Sequence, residues 1–154
     1  MLFGLIIYGI VFYRLLFHEP LPPVLRPTLC ILIAPPAVAS LAYLALGGEF
    51  DSLARSLFLA ALFMALLVAA RIRQFLEIPF AASWWSYTFP LDALAVAALR
   101  YHGGLDAGFS GALAIVILAI TTLIVTTVFV LTVRALKDGT LLSTGKPDLQ
   151  RQAA

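Results

Sequence analysis

The sequence predicts an all-α integral membrane protein of about five transmembrane helices, and three observations lead there. Of the 154 residues, 62% are hydrophobic and 12% charged, against about 45–50% and about 25% in ordinary soluble domains. The mean hydropathy of +1.03 leaves too few polar residues to coat a globule, so lipid must serve as the outer solvent. The apolar residues also gather into five stretches that fit the roughly 20 residues a helix needs to cross a bilayer. The formal charge of +2 comes from ten basic residues scattered between those stretches. No basic stripe results, which excludes a nucleic-acid partner.

The first stretch, 2–17, is short, as though its beginning were missing. It lacks the basic opening of a cleavable secretory signal, since the first basic residue, Arg14, comes after the run. A Pro-rich connection, 19–27, leads to the second stretch, 28–46, which stops at Gly47-Gly48. The third, 53–70, is entered through Asp51-Ser52 as an N-cap and closed by Arg71 and Arg73. The fourth, 81–101, carries Trp84, Trp85 and Tyr87 near one end and Tyr101 at the other, the placement of aromatic residues at membrane interfaces. Gly103-Gly104 ends it. The fifth, 110–133, is uncharged throughout. Residues 1–136 therefore form a transmembrane domain, and 137–154 a polar tail.

Orientation follows from the basic residues, which are retained on the cytoplasmic side when they flank spans. With five crossings, Arg14, Arg26, Arg71, Arg73, Arg134, Lys137, Lys146 and Arg151 fall on the side of the tail, and only Arg55 and Arg100 fall opposite. The tail is expected in the cytoplasm and Met1 outside, in a bacterial inner membrane. A count wrong by one would scatter these charges over both sides.

Pro35-Pro36 falls in the middle of the second stretch and Pro90 near the middle of the fourth. An interior proline costs about 3 kcal/mol by removing a donor and crowding the preceding turn. Broken backbone at membrane depth is tolerated where it is buried in protein or lines a wet cavity. The second and fourth spans are thus expected to be kinked and to form an inner layer lining a pore. A harmless kink is the competing reading, evenly weighted for Pro90 alone.

Asp92 is the one acidic residue well inside a span, where a carboxylate costs roughly 2.5–3.5 kcal/mol. It is either a proton or substrate relay or a protonated or hydrogen-bonded tie between helices, and the tie is preferred because a fixed negative charge opposes an anion path. Thr121, Thr122, Thr126 and Thr127 form a polar stripe on the fifth span, read as helix packing or back-bonding. Ala93, Ala95, Ala97 and Ala98 permit close helix approach. The single cysteine, Cys30, reads as a small buried hydrophobe, and His18 and His102 as interfacial residues without metal-ligand spacing. No phosphate loop, nucleophile elbow or zinc motif occurs, and Ser83 and Ser86 have no histidine nearby. Neither an enzyme, a metal nor a cofactor is expected.

Two segments carry a family resemblance. Leu25-Arg26-Pro27-Thr28 with Ile33-Ala34-Pro35-Pro36-Ala37-Val38, and later Ala82-Ser83-Trp84-Trp85-Ser86-Tyr87-Thr88-Phe89-Pro90-Leu91, resemble the tellurite-resistance/dicarboxylate transporter family. That family includes TehA, the yeast malate permease and the plant guard-cell slow anion channel. The resemblance runs from Met1 to about Leu142 and implies ten spans as five hairpins around a pseudo-fivefold pore, with kinked helices inside and assembly as a homotrimer. The five spans here look like the C-terminal half, which leaves three of the five inner helices unaccounted for. The resemblance further implies that Phe89 occludes the pore, with Phe80 as the weaker candidate.

The function so implied is transport of small anions, including dicarboxylates such as malate or tellurite-type oxyanions, through a Phe-gated pore between Pro-kinked helices. The alternative is a non-transporting membrane scaffold or remnant fragment that needs an N-terminal half.

Overall fold

The structure is a computed structural model that describes residues 2–17, 29–71, 80–103 and 108–138. The motif at 25–28, the Pro-rich connection, Arg73, Gly104 and the tail beyond Asp138 lie outside the described residues, as do Arg26, Lys146 and Arg151 of the orientation argument.

Among the described residues five α-helices follow one another: α1 Leu2–Phe17, α2 Ala34–Ala45, α3 Ser52–Ala69, α4 Thr88–Gly103 and α5 Gly108–Lys137. No strand occurs among the described residues. α3 and α5 are each long and apolar enough to cross a membrane as single helices.

The second and fourth apolar stretches are built differently from the expectation. Residues 29–33 form a 3-10 turn that runs into α2, and Ala82–Tyr87 form a 3-10 helix that runs into α4. Pro35 and Pro36 therefore stand in the first turn of α2, and Pro90 is the third residue of α4. These prolines start helices where interior kinks were expected. The physical reason is that first-turn amides have no carbonyl partner within the helix, so a missing N–H costs little there, and the fixed φ of proline suits the start. At about 2.0 Å per 3-10 residue and about 1.5 Å per α-helical residue, 29–45 extends roughly 28 Å and 82–103 roughly 36 Å. Both are comparable with the ~30 Å hydrocarbon slab.

The turn between α2 and α3 is closed by hydrogen bonds. Gly47 takes φ +88°, the left-handed conformation that glycine adopts without strain, and the Gly48 amide donates to the Tyr43 carbonyl at 3.0 Å. A Cβ on Gly48 would meet the Tyr43 ring at 2.6 Å, so this position must stay bare. Asp51 caps α3 by accepting from the amides of Leu53 at 2.9 Å and Ala54 at 3.1 Å, and it also accepts from the Tyr43 hydroxyl at 2.6 Å. The Tyr43 hydroxyl first, and then the Ala54 and Leu53 amides, hold the Asp51 carboxyl below the usual carboxylate range.

α4 is the hub. It packs against α2, α3 and α5, while α2 packs on α3 and touches α1. Between apolar lipid tails and apolar helices, hydrophobic transfer contributes little, and association depends on close packing and interhelical hydrogen bonds. The alanines at 93, 95, 97 and 98 are all buried, which brings neighbouring backbones close to α4. Ile33, Ala37, Phe58, Ala61, Ala114 and Ile117 complete the cluster. Phe58 stacks on Tyr101 with centroids 4.4 Å apart, and Phe50 meets the same ring edge-on at 5.4 Å. Side-chain hydrogen bonds to neighbouring backbones also tie helices together: Ser40 Oγ donates to the Ala54 carbonyl at 3.1 Å, and Thr121 Oγ1 to the Leu91 carbonyl at 3.3 Å.

Candidate functional site

Pro90, Ala93, Leu94, Ala95, Ala97 and Ala98 bury most of the circumference of α4. What stays open along the helix is a stripe of Phe89, Asp92, Val96 and Leu99, spaced at three and four residues along one face, which widens in the last turn to the exposed Arg100, His102 and Gly103. Phe89 is 64% exposed. Asp92, one turn further on, is exposed and makes no hydrogen bond or ion pair among the described residues. On α2, Pro35 and Val38 are exposed and Pro36 is half-buried. The sequence-predicted residues thus divide: Phe89 and Asp92 share the open stripe, Pro35 shares the exposed face of α2 with Val38, and Pro90 is fully buried.

The two candidate gate rings differ in freedom. Phe80 packs edge-on against Trp84, centroids 5.8 Å apart, whereas Phe89 has no ring partner among the described residues. A side chain that must swing between two positions needs the second situation.

The 3-10 helix that leads into α4 carries an unusual concentration of polar atoms. Trp85 Nε1 donates to Thr132 Oγ1 on α5 at 3.0 Å, and Thr88 Oγ1 donates to the Trp85 carbonyl at 2.8 Å. By contrast, Ser83 Oγ, Trp84 Nε1 and Ser86 Oγ are shielded and have no hydrogen-bond partner among the described residues. Each such group costs about 1–3 kcal/mol when left unsatisfied. Sequence reasoning weighed Ser83 and Ser86 only as nucleophiles; the signal it passed over was their spacing of three, which a 3-10 helix turns into a common face.

Other sequence-predicted residues have structural employment. Thr121 bridges to α4, while Thr122 and Thr127 donate to the Leu118 and Leu123 carbonyls of their own helix, each at 2.8 Å. His102 Nδ1 and Ser110 Oγ share a hydrogen bond of 3.0 Å across the α4–α5 connection. Cys30 is buried. Among the described residues no group of three or more His, Cys, Asp or Glu could hold a metal ion.

With this geometry in place, comparison with known proteins is informative. The family model described as voltage-dependent anion channel, SLAC1, matches residues 1–133. The chain belongs to this family. The guard cell S-type anion channel SLAC1 of Arabidopsis thaliana is 36% identical over 113 residues, which cover 73% of this chain and 20% of that protein. The S-type anion channel SLAH3 of the same plant is 34% identical over 113 residues, covering 73% of this chain and 18% of the relative. An uncharacterized transporter, MJ0576, of Methanocaldococcus jannaschii is 26% identical over 101 residues, covering 58% of this chain and 29% of the relative. The matches to the two plant channels span about a fifth of those proteins' length. An integral membrane location follows from SLAC1-family membership together with the apolar helices.

Proposed function

We propose that this chain contributes to a passage for small anions through the membrane, with the open stripe of α4 facing the passage and Phe89 occluding it. The observation that carries the reading is that, ahead of its exposed last turn, α4 is open only along the stripe that bears Phe89 and Asp92. A stripe turned to lipid would hold a carboxylate in hydrocarbon at a cost of roughly 2.5–3.5 kcal/mol, whereas a wet passage removes that cost. The exposed faces of Pro35 and Val38 on α2 supply a second wall, started by the same proline device. Naming of the SLAC1-family plant relatives as anion channels supports the choice of anions.

In this reading permeation is limited by rotation of the Phe89 ring, and selectivity comes from pore shape and backbone dipoles. Dicarboxylates such as malate, and tellurite-type oxyanions, fall within the size class proposed. The assembly proposed is a homotrimer in a bacterial inner membrane with the C-terminus cytoplasmic. Liposomes containing the chain, loaded with chloride, nitrate or malate, test it directly. Efflux above empty liposomes that accelerates in Phe89→Ala is the expected result. Efflux equal to empty liposomes for both proteins would instead favour a membrane scaffold that does not transport by itself.

A further inference from the structure

We propose that Ser83, Trp84 and Ser86 form a binding site for a small monovalent anion, such as chloride or nitrate, at the entry to α4. The site is separate from the Phe89 stripe, and anion binding there stands whether or not the chain conducts.

In a 3-10 helix residues three apart are eclipsed, so Ser83 and Ser86 project from the same side of the Ala82–Tyr87 turn. Both Oγ atoms are shielded from solvent and, among the described residues, have no hydrogen-bond partner, as is true of Trp84 Nε1 between them in sequence. An indole N–H can only donate, and a hydroxyl can turn its hydrogen toward whatever acceptor is near. Three neutral donors within four consecutive residues of one turn therefore suit an acceptor that takes several hydrogen bonds at once. An anion does so, and hydrogen bonds to a charged partner are the stronger kind. A cation is disfavoured by the indole N–H, and a multiply charged anion by the lack of any fixed positive charge among the three groups.

The donors are also held in place. The Trp84 ring is gripped edge-on by Phe80 at 5.8 Å and by Tyr87 at 5.9 Å, which fixes the direction of its N–H before any ligand arrives. The neighbouring polar groups are already engaged: Trp85 Nε1 with Thr132, and Thr88 Oγ1 with the Trp85 carbonyl.

The two tryptophans of the chain both lie in this turn, so Trp85→Phe leaves Trp84 as the sole indole reporter. The full chain carrying this substitution, purified in lipid nanodiscs, is titrated with sodium chloride against sodium gluconate at constant ionic strength, and Trp84 emission is recorded. The expected result is a chloride-specific, saturable change. Adding Ser86→Val should weaken it roughly tenfold, the loss of one hydrogen bond to a charged group, while Ser86→Thr, of the same shape but with its hydroxyl, should retain it. No chloride-specific response in the parent, or equal responses from the Val and Thr variants with helix content unchanged by circular dichroism, overturns the site. Failure here leaves the efflux experiment untouched, and failure of efflux leaves this titration untouched.

Discussion

Helices α2 and α4 begin alike and carry different chemistry. Each is introduced by a 3-10 turn and places proline in its first turn. The turn before α2 is Leu29-Cys30-Ile31-Leu32-Ile33, wholly apolar, whereas the turn before α4 contains two serines, two tryptophans and a tyrosine. The two helix starts therefore share a backbone device, and their side chains are what differs. Burial differs too. Six residues of α4 are buried against three of α2, and the exposed Pro35 and Val38 of α2 are apolar where the exposed stripe of α4 carries Asp92.

If that asymmetry is functional, substitutions on the α4 stripe should change flux far more than substitutions on α2. The largest effect is expected from Phe89→Ala, at least about tenfold faster efflux of chloride from liposomes, as expected when a barrier falls by ~1.4 kcal/mol. Val38→Ala on the exposed face of α2 is the matched control, and should change efflux by less than about twofold, below ~0.5 kcal/mol. Equal effects from the two would remove the distinction. Next comes Asp92→Asn, which takes a negative charge from the path without changing shape. A several-fold increase in anion efflux is expected, greatest at low ionic strength, because repulsion of a permeating anion is screened by salt. A decrease would make Asp92 a relay whose carboxylate is needed.

How much of this could be read in the sequence depended on whether the signal was local. The cap at Asp51, the stop at Gly47-Gly48 and the burial of the four α4 alanines follow from residue types acting within a turn or a helix face, and the structure has each of them. The prolines were located correctly in the sequence and assigned to the interior of a helix, because hydropathy alone does not separate a 3-10 turn from the α-helix it feeds. Asp92 was preferred as a tie between helices, and that preference needed knowledge of which face α4 leaves open. The partnerless atoms of Ser83, Trp84 and Ser86 depend on what surrounds them in space, and no local pattern carries that. Ser40 was passed over for the same reason: its acceptor, the Ala54 carbonyl, belongs to the next helix.

The α2–α3 hairpin offers a contrast of a different kind, since Ser40, Tyr43 and Asp51 are paired where Ser83, Trp84 and Ser86 have no hydrogen-bond partner among the described residues. Ser40→Val should destabilise the chain in detergent by about 0.6 kcal/mol, the average worth of an interhelical hydrogen bond in membranes, read from unfolding in sodium dodecyl sulfate. Asp51 adds a pH dependence. Its folded carboxyl titrates below the unfolded value of about 3.9, so the stabilisation is fully present at neutral pH and is lost as pH falls through the folded value. Asp51→Asn should flatten that acid-side loss while leaving the neutral midpoint nearly unchanged, because asparagine also caps helices well.

The smallest effect bears on the shared backbone device. Were Pro35 an interior kink, replacing it with alanine would restore a lost hydrogen bond and relieve a clash, stabilising the chain by about 3 kcal/mol. In the first turn of α2 the amide has no intrahelical partner to gain, and the exposed ring makes little packing to lose, so Pro35→Ala should change stability by less than about 0.5 kcal/mol. Pro90→Ala separates the two starts, because Pro90 is fully buried and its removal leaves a small cavity against the core, costing about 1 kcal/mol. Equal responses at the two positions would mean that burial does not distinguish the two helix starts. A large gain at Pro35 would mean that α2 is continuous through residues 29–33 in the membrane.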